Sequence, residues 1–133
     1  MSATPVSPRL VQLLDLLGVD AGDCLRTDGR CSVPYKGGRL DILPLTGKRA
    51  ILETLVVYLP TESEPRRACI VQALRFAAAQ MQARPDVLAQ SQEQDALVLQ
   101  HEFGLDMSVP EMATVVEHFL HAADIWRRIC DKT

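Results

Sequence analysis

Two histidines and two carboxylates near the C-terminal end of the sequence have the spacing of a metal site. His118 and His121 lie three residues apart in a segment with helical periodicity, beside Glu117 and Asp124. Imidazole nitrogens and carboxylate oxygens on one helix face are ligands that bind zinc. No cysteine or further histidine has ligand spacing to this group, and the solvated face of a helix accounts for all four residues. The sequence therefore favours a solvated face, and it predicts no metal and no cofactor.

A further histidine, two cysteines and a glutamate could serve in catalysis. His101 could activate a thiol such as Cys31 or Cys69, but no flanking motif supports a nucleophile, and a histidine at a strand end is the simpler interpretation. Glu53 interrupts an apolar segment. It is either a general acid or base or a carboxylate that reaches solvent or a partner chain, and we favour the second. The sequence thus predicts that the protein is not an enzyme.

The composition is that of one globular domain spanning residues 1–133. Apolar residues make up 47% of the chain and charged residues 23%, which excludes a disordered chain. The net charge of −3 argues against nucleic acid, whose binders usually have a basic face. No apolar run of about 18 residues is present to span a membrane, and no signal peptide is visible. With four irregularly spaced cysteines, these features predict a cytoplasmic protein with reduced thiols.

The segment from Asp28 to Pro60 predicts three consecutive strands of an antiparallel meander, which the helices must cover. Apolar and polar residues alternate through residues 30–35, and two glycines at residues 37–38 offer a tight hairpin turn. We expect the apolar residues of both strands to share one face. The expected pairs are Tyr35 with Leu40, Val33 with Ile42, and Cys31 with Pro44.

Two features of the meander leave questions open. In the expected register, Pro34 faces a position where its partner strand needs an N–H donor, which proline lacks. A bulge, a longer loop or a position at the sheet edge would resolve this conflict. The third strand, residues 50–59, is apolar on both faces, which predicts that this domain or another chain covers both faces.

Two helices flank the meander along the chain. The first begins at Ser7-Pro8 and ends near Gly18. Val11 and Leu16 lie off its apolar stripe, and they are either surface residues or contacts to a partner. The second helix, residues 65–84, has a wider apolar arc than a surface helix needs. It either lies buried within one chain or contacts a second copy through its alanine-rich side.

The sequence after the second helix predicts a hairpin and a closing helix. Residues 87–92 and 96–103 form two strands, and Ser108 with Glu111 forms a capping box before a long amphipathic segment. The predicted fold is therefore α+β, in the order helix, three-stranded antiparallel meander, helix, two-stranded hairpin, helix.

This ordered pattern resembles the class I type III secretion chaperones, the family of the Tir chaperone. The residues that carry it are Leu10–Leu14, Asp28–Val33, the Gly-Gly hairpin, Tyr58–Pro60, Ala68–Ala83 and the closing helix. The resemblance implies a small bacterial cytoplasmic homodimer that binds the N-terminal segment of a secreted effector without ATP. It also implies that the client stays competent for export, that the export apparatus is a further contact, and that binding combines strand addition with apolar anchors in grooves.

The resemblance also suggests which residues bind. A client groove is expected to involve Leu13, Leu16, Leu17, Val33 and Ile42. A dimer interface is expected to involve Ile70, Leu74, Ala77, Ala78 and Met81. The main alternative is a small α+β adaptor domain that binds a regulatory protein, and a third class is a small hydrolase or thiol enzyme that uses His101.

Overall fold

The chain has the predicted α+β architecture, built around one five-stranded antiparallel sheet. The computed structural model describes residues 8–24, 26, 30–35, 38–45, 48–80, 86–91 and 95–131. Its elements are α1 (Pro8–Leu16), α2 (Ala21–Cys24), β1 (Cys31–Tyr35), β2 (Gly38–Leu45), β3 (Arg49–Tyr58), α3 (Ser63–Gln80), β4 (Val87–Ser91), β5 (Ala96–Gly104) and α4 (Val109–Asp131). The predicted order of helix, meander, helix, hairpin and helix is confirmed.

The meander and the hairpin join into a single sheet with the strand order β1-β2-β3-β5-β4. Each neighbouring pair is antiparallel, and β5 returns beside β3. This leaves β1 and β4 as the two edges. The position of β1 at an edge agrees with one of the resolutions expected for its proline.

The predicted register of β1 on β2 is wrong by two residues. Tyr35 pairs with Gly38 and Val33 pairs with Leu40, whereas the sequence predicted Leu40 opposite Tyr35. Side chains alternate between faces with a period of two, so this shift leaves the apolar residues of both strands on one face. The turn predicted at residues 37–38 is wrong, because Gly38 already pairs with Tyr35 as the first residue of β2, and residues 36–37 lie outside the described residues.

Pro34 gives the physical reason for the register. It pairs with Arg39, and an antiparallel strand alternates between pairs that exchange hydrogen bonds and pairs that do not. Because proline has no N–H, the Pro34–Arg39 pair is of the second kind, and the pairs on either side of it carry the hydrogen bonds. The predicted register would have placed proline where β2 needs a donor.

Helix α4 packs against the sheet and contributes a large part of the core. Ala50, Leu52, Thr54 and Val56 of β3 are buried, and the residues between them are only partly buried. The core is therefore concentrated on one face of the sheet. Its fully buried large side chains are Leu10, Leu13, Leu14, Leu40, Ile42, Leu52, Leu99, Met112 and Val116.

A β-bulge in β3 is tied to α4 by one arginine. The register of β3 on β5 shifts between Leu55 and Val57. Arg127 Nε donates to the Leu55 carbonyl oxygen at 3.0 Å, and its Nη2 donates to Thr54 Oγ1 at 2.7 Å. Thr54 Oγ1 in turn donates to the Arg39 carbonyl oxygen at 2.9 Å. The guanidinium thus links the last turns of α4 to two strands.

The helix ends follow the local sequence closely. Ser108 caps α4 as predicted, since the Glu111 N–H donates to Ser108 Oγ at 3.3 Å. The Glu111 carboxylate accepts from the Ser108 hydroxyl at 2.9 Å, where a complete capping box would have it accept from the Ser108 N–H. Helix α3 begins at Ser63, two residues before the predicted start, and its predicted end lies outside the described residues. Between α1 and β1, where the sequence predicts no helix or strand, lies the short helix α2. Just before it, Asp20 Oδ1 accepts a hydrogen bond from the Gly22 N–H at 2.9 Å. A helix of this length has no periodicity by which to predict it.

Candidate functional site

An apolar groove lies between the C-terminal end of α1, the edge strand β1 and helix α4. We call it the α1–β1 groove. It has a volume of about 270 Å³. Its apolar lining consists of Leu17, Val19, Val33, Pro34, Leu40, Val116 and Leu120, and Glu117 is the charged residue among those that line it.

The end of α1 places two of these side chains in the groove. Gly18 has a φ of 78°, the left-handed conformation that glycine adopts most readily after a helix. The Val19 N–H donates to the Leu14 carbonyl oxygen at 2.9 Å and so closes the turn. Leu17 and Val19 therefore flank a fixed reversal of the chain and both contact the groove. The predicted stop at Gly18 is confirmed.

A buried carboxylate holds the edge strand in place. Asp41 of β2 is 5% exposed, and Ser32 Oγ of β1 donates to its Oδ1 at 2.8 Å. Arg39 Nε lies 3.1 Å from the same oxygen, and Arg30 Nη1 lies 3.9 Å from Oδ2. These contacts fix the side chains on the face of β1 opposite the groove. In the sequence, Asp41 is a lone carboxylate in an apolar strand, but the sequence does not show which side chains contact it.

The predicted client residues fall into three environments. Leu17 and Val33 line the α1–β1 groove. Leu13 and Ile42 are each 0% exposed, so they support the core. Leu16 is 57% exposed and is not among the residues that line the groove.

Sequence reasoning missed most of the other groove residues. Val116 lies on the apolar stripe of α4, which the sequence assigned to the core. Val19 and Leu40 are apolar residues beside a turn, and periodicity alone does not show that they face one another across a groove.

The predicted dimer residues lie on a helix with a small buried face. Among the residues of α3, Cys69 and Ala73 are buried, and the Phe76 ring meets Trp126 edge-on at 4.8 Å. The members of the predicted set differ in exposure: Leu74 is 59% exposed, Ala78 is exposed, and Ile70 and Ala77 are partly buried. Met81 lies outside the described residues. The interface itself remains a prediction.

The residues considered for catalysis are placed differently from the sequence expectation. His101 lies within β5, opposite Leu52, so the predicted strand-end position is wrong. Its Nδ1 lies 3.1 Å from Asp86 Oδ1, without the alignment of a hydrogen bond. Burial, followed by the influence of Cys24, raises the pKa of the Cys31 thiol to about 11. A thiol with so high a pKa is a poor nucleophile at neutral pH.

Glu53 is accounted for by a partner within the sheet. Gln100 of β5 lies opposite it, and Gln100 Nε2 donates to Glu53 Oε1 at 2.7 Å. The carboxylate therefore belongs to a cross-strand pair on the partly buried face of β3.

The described ranges contain neither a metal-binding cluster nor a membrane-spanning helix. No group of three or more histidine, cysteine, aspartate or glutamate residues there is arranged to hold a metal ion. Of the described helices, none is long and apolar enough to cross a membrane.

The fold is shared with chains in three solved structures of protein complexes. A chain in the crystal structure of the ExsC–ExsE complex has a TM-score of 0.69 at 16% identity, with 90% of this chain and 89% of that chain covered. The Yersinia pestis type III secretion chaperone SycH, in complex with a stable fragment of YscM2, gives 0.63 at 16%, with 90% and 98% covered. The HopA1–SchA chaperone–effector complex gives 0.58 at 15%, with 93% and 99% covered.

The sequence also identifies the family directly. The model of the Tir chaperone protein (CesT) family matches residues 10–127, and the chain belongs to this family. Among curated proteins, no sequence matches this chain.

Proposed function

We propose that this protein is an ATP-independent cytoplasmic chaperone that binds the N-terminal segment of a type III secreted effector. It acts as a homodimer and keeps its client stable and competent for secretion. The observation that carries this proposal is the α1–β1 groove, which opens beneath an edge strand that pairs with no described strand on its outer side. Membership of the Tir chaperone family and the fold shared with a chaperone–effector complex support it.

The groove and the edge together suit an extended chain. An edge strand offers backbone N–H and C=O groups to an added strand, and an adjacent apolar pocket takes alternate side chains of that strand. Leu17 and Val33 would contact the client directly. Leu13 and Ile42, buried beneath, would hold the groove in shape, and the exposed Leu16 would extend the apolar surface beyond it.

Binding is favoured over catalysis by the state of the candidate catalytic groups. Burial raises the pKa of the Cys31 thiol to about 11, so this cysteine is not an activated nucleophile at neutral pH. The groove is lined almost wholly by apolar side chains, which can bind apolar groups of a partner but supply no catalytic group.

Self-association is proposed through α3. Its exposed leucine and alanine side chains, with Ile70 and Ala77 beside them, would pack against a second copy. Val71, which is 36% exposed, would extend this surface. A dimer would present two α1–β1 grooves to one client chain.

The test is a pull-down from cells that express the type III system. We expect the tagged protein to retain a secreted effector through that effector's N-terminal segment. A Leu17→Glu substitution should abolish retention, because a charge would lie in the apolar groove. Leu45→Glu is the matched control, since Leu45 is 42% exposed and lies outside the groove.

Other outcomes would count against the proposal. Retention of a folded regulatory protein in place of an effector would favour the adaptor function. Equal losses with Leu17→Glu and Leu45→Glu would remove the groove from the binding site.

A further inference from the structure

We infer that the edge of β1 binds three consecutive client residues, of which the middle one is apolar and the other two are not proline. Pro34 fixes which backbone groups of β1 point outward. The inference rests on the proposed function and specifies which client sequences the α1–β1 groove accepts. It follows from the backbone groups that β1 directs away from the sheet.

The register of β1 on β2 determines these groups. Because Pro34 has no N–H, its pair with Arg39 exchanges no hydrogen bonds, and the neighbouring Val33 and Tyr35 pairs exchange them instead. Alternation then directs the N–H and C=O of Ser32, and the C=O of Pro34, to the outer side of the strand. Over these residues the edge presents one donor and two acceptors.

The chain before β1 limits the edge at its other end. The Arg30 carbonyl oxygen accepts a hydrogen bond from the Arg26 N–H at 2.8 Å, so this acceptor is already used. Through Ser32 and Pro34, a client strand added antiparallel to β1 would therefore make three backbone hydrogen bonds. It accepts one from Ser32 and donates one each to Ser32 and Pro34. Both donated bonds require an N–H on the client, which proline cannot supply.

The client residue between those two donors faces the groove. In an antiparallel pair, residues directly opposite each other point to the same face. The middle client residue lies opposite Val33, whose side chain lines the α1–β1 groove beside Leu17 and Leu40. An apolar side chain at this position would enter the groove, while its two neighbours would point to the other face.

The charge at the groove adds a second preference for the sequence of the client. Glu117 is the charged residue among those that line the groove, and it is exposed. A lysine or arginine of the client near the apolar residue would meet this carboxylate. The preferred client segment is therefore extended, carries one aliphatic anchor without adjacent proline, and has a basic residue nearby.

The test uses short acetylated peptides of serine and threonine with one central leucine and a lysine near each end. Proline is moved along this reference peptide one position at a time, and affinity is measured by fluorescence anisotropy. We expect proline directly before or after the leucine to weaken binding at least about fivefold, since a buried carbonyl loses its donor. Proline two positions from the leucine should leave the affinity within about twofold, because that client N–H points away from β1.

Two chaperone variants sharpen the test. Pro34→Val adds an outward N–H opposite a client carbonyl, so the reference peptide should bind about two- to tenfold more tightly. Pro44→Val is the matched control, since Pro44 is an exposed strand proline opposite Ala50 and outside the groove. Glu117→Gln should weaken the lysine peptide about two- to fivefold at low salt, and should not affect a peptide with glutamine in place of lysine.

The outcomes separate this inference from the proposed function. Equal losses at every proline position, or no binding of the reference peptide at about 1 mM, would overturn the inference. Retention of an effector in the pull-down would then leave the proposed function standing. The expected proline pattern without any effector retained would overturn the proposed function alone.

Discussion

Arg127 shows how one side chain can join a helix to an irregular strand. The Leu55 carbonyl lies beside the bulge in β3, and a buried carbonyl without a donor is costly. The Arg127 guanidinium supplies that donor and also contacts Thr54 and Asp124. In the sequence Arg127 is one of two basic residues near the end of the closing amphipathic segment, and the bulge beside it leaves no pattern in a largely apolar strand.

We expect Arg127→Met to lower the free energy of unfolding by about 1–3 kcal/mol, because it leaves the Leu55 carbonyl and the Thr54 hydroxyl without this partner. Urea unfolding followed by circular dichroism measures the change. Arg128→Met is the control, since this neighbour is exposed and should change stability by less than about 0.5 kcal/mol. Equal effects of the two substitutions would contradict the bridging role of Arg127.

Cys31 gives a second prediction at this scale, which concerns pH. Burial raises the pKa of its thiol from 9.0 to about 11, so the folded protein holds this proton more tightly than the unfolded chain. The stabilising contribution is present below pH 9.0 and is lost as the pH rises toward about 11. We expect iodoacetamide at pH 8 to modify Cys31 at least about fiftyfold more slowly in the native protein than in urea, since the thiolate is the reactive form.

Peptide mapping by mass spectrometry assigns the modified cysteine, and the unfolded chain in urea serves as the control. Similar rates in the two states would show that the thiol is accessible and not stabilised by burial.

Among the helices and strands, α3 exposes the clearest excess of apolar side chains. Its 18 residues contribute little to the core, and it touches the rest of the chain mainly through α4. A helix with so few buried contacts gains little from its own domain, because most helical stability in proteins comes from packing. A second copy would supply the missing contacts.

We expect Leu74→Glu to convert a dimer into a monomer, since it places a charge within the proposed apolar interface. Sedimentation velocity at micromolar concentration measures the change. Arg75→Glu is a control at the adjacent exposed position and should leave the dimer intact. A wild-type protein that sediments as a monomer would remove the interface altogether.

Several elements were predictable from sequence because their signals are local. Gly18 ends α1, the Ser108 cap begins α4, and alternation marks the first strand. The exact register of β1 was not predictable, because neighbouring glycines allow the turn at either of two places. The proximity of Leu17 and Val33 across the groove was also not predictable, since these residues come together only when α1 has packed against α4.

At the scale of the whole molecule, stability and association should be coupled. A dimer that forms through α3 adds contacts to the folded state alone, so the unfolding midpoint should rise with protein concentration. The sequence has one tryptophan, Trp126, whose ring meets Phe76 of α3. Its fluorescence therefore reports on the contact between α3 and α4.

We expect the wild-type midpoint in urea to rise with protein concentration and the Leu74→Glu midpoint to be independent of it. Trp126 fluorescence and circular dichroism should give coincident transitions if the chain unfolds as one unit. A wild-type midpoint that does not change with concentration would argue against a stabilising dimer. Separate transitions would show that α3 and α4 come apart before the sheet unfolds.

The proline in β1 also has a consequence for storage at high concentration. Open strand edges are templates on which copies of a protein stack into fibrils. If two β1 edges met antiparallel at Ser32, Pro34 of one copy would face Arg30 of the other, whose carbonyl is already bonded to Arg26. Proline donates no hydrogen bond at either of these two positions, so a contact between two β1 edges is weaker than one between regular strands. The residue that fixes the outward groups of β1 therefore also disfavours edge-to-edge pairing of unoccupied chaperones.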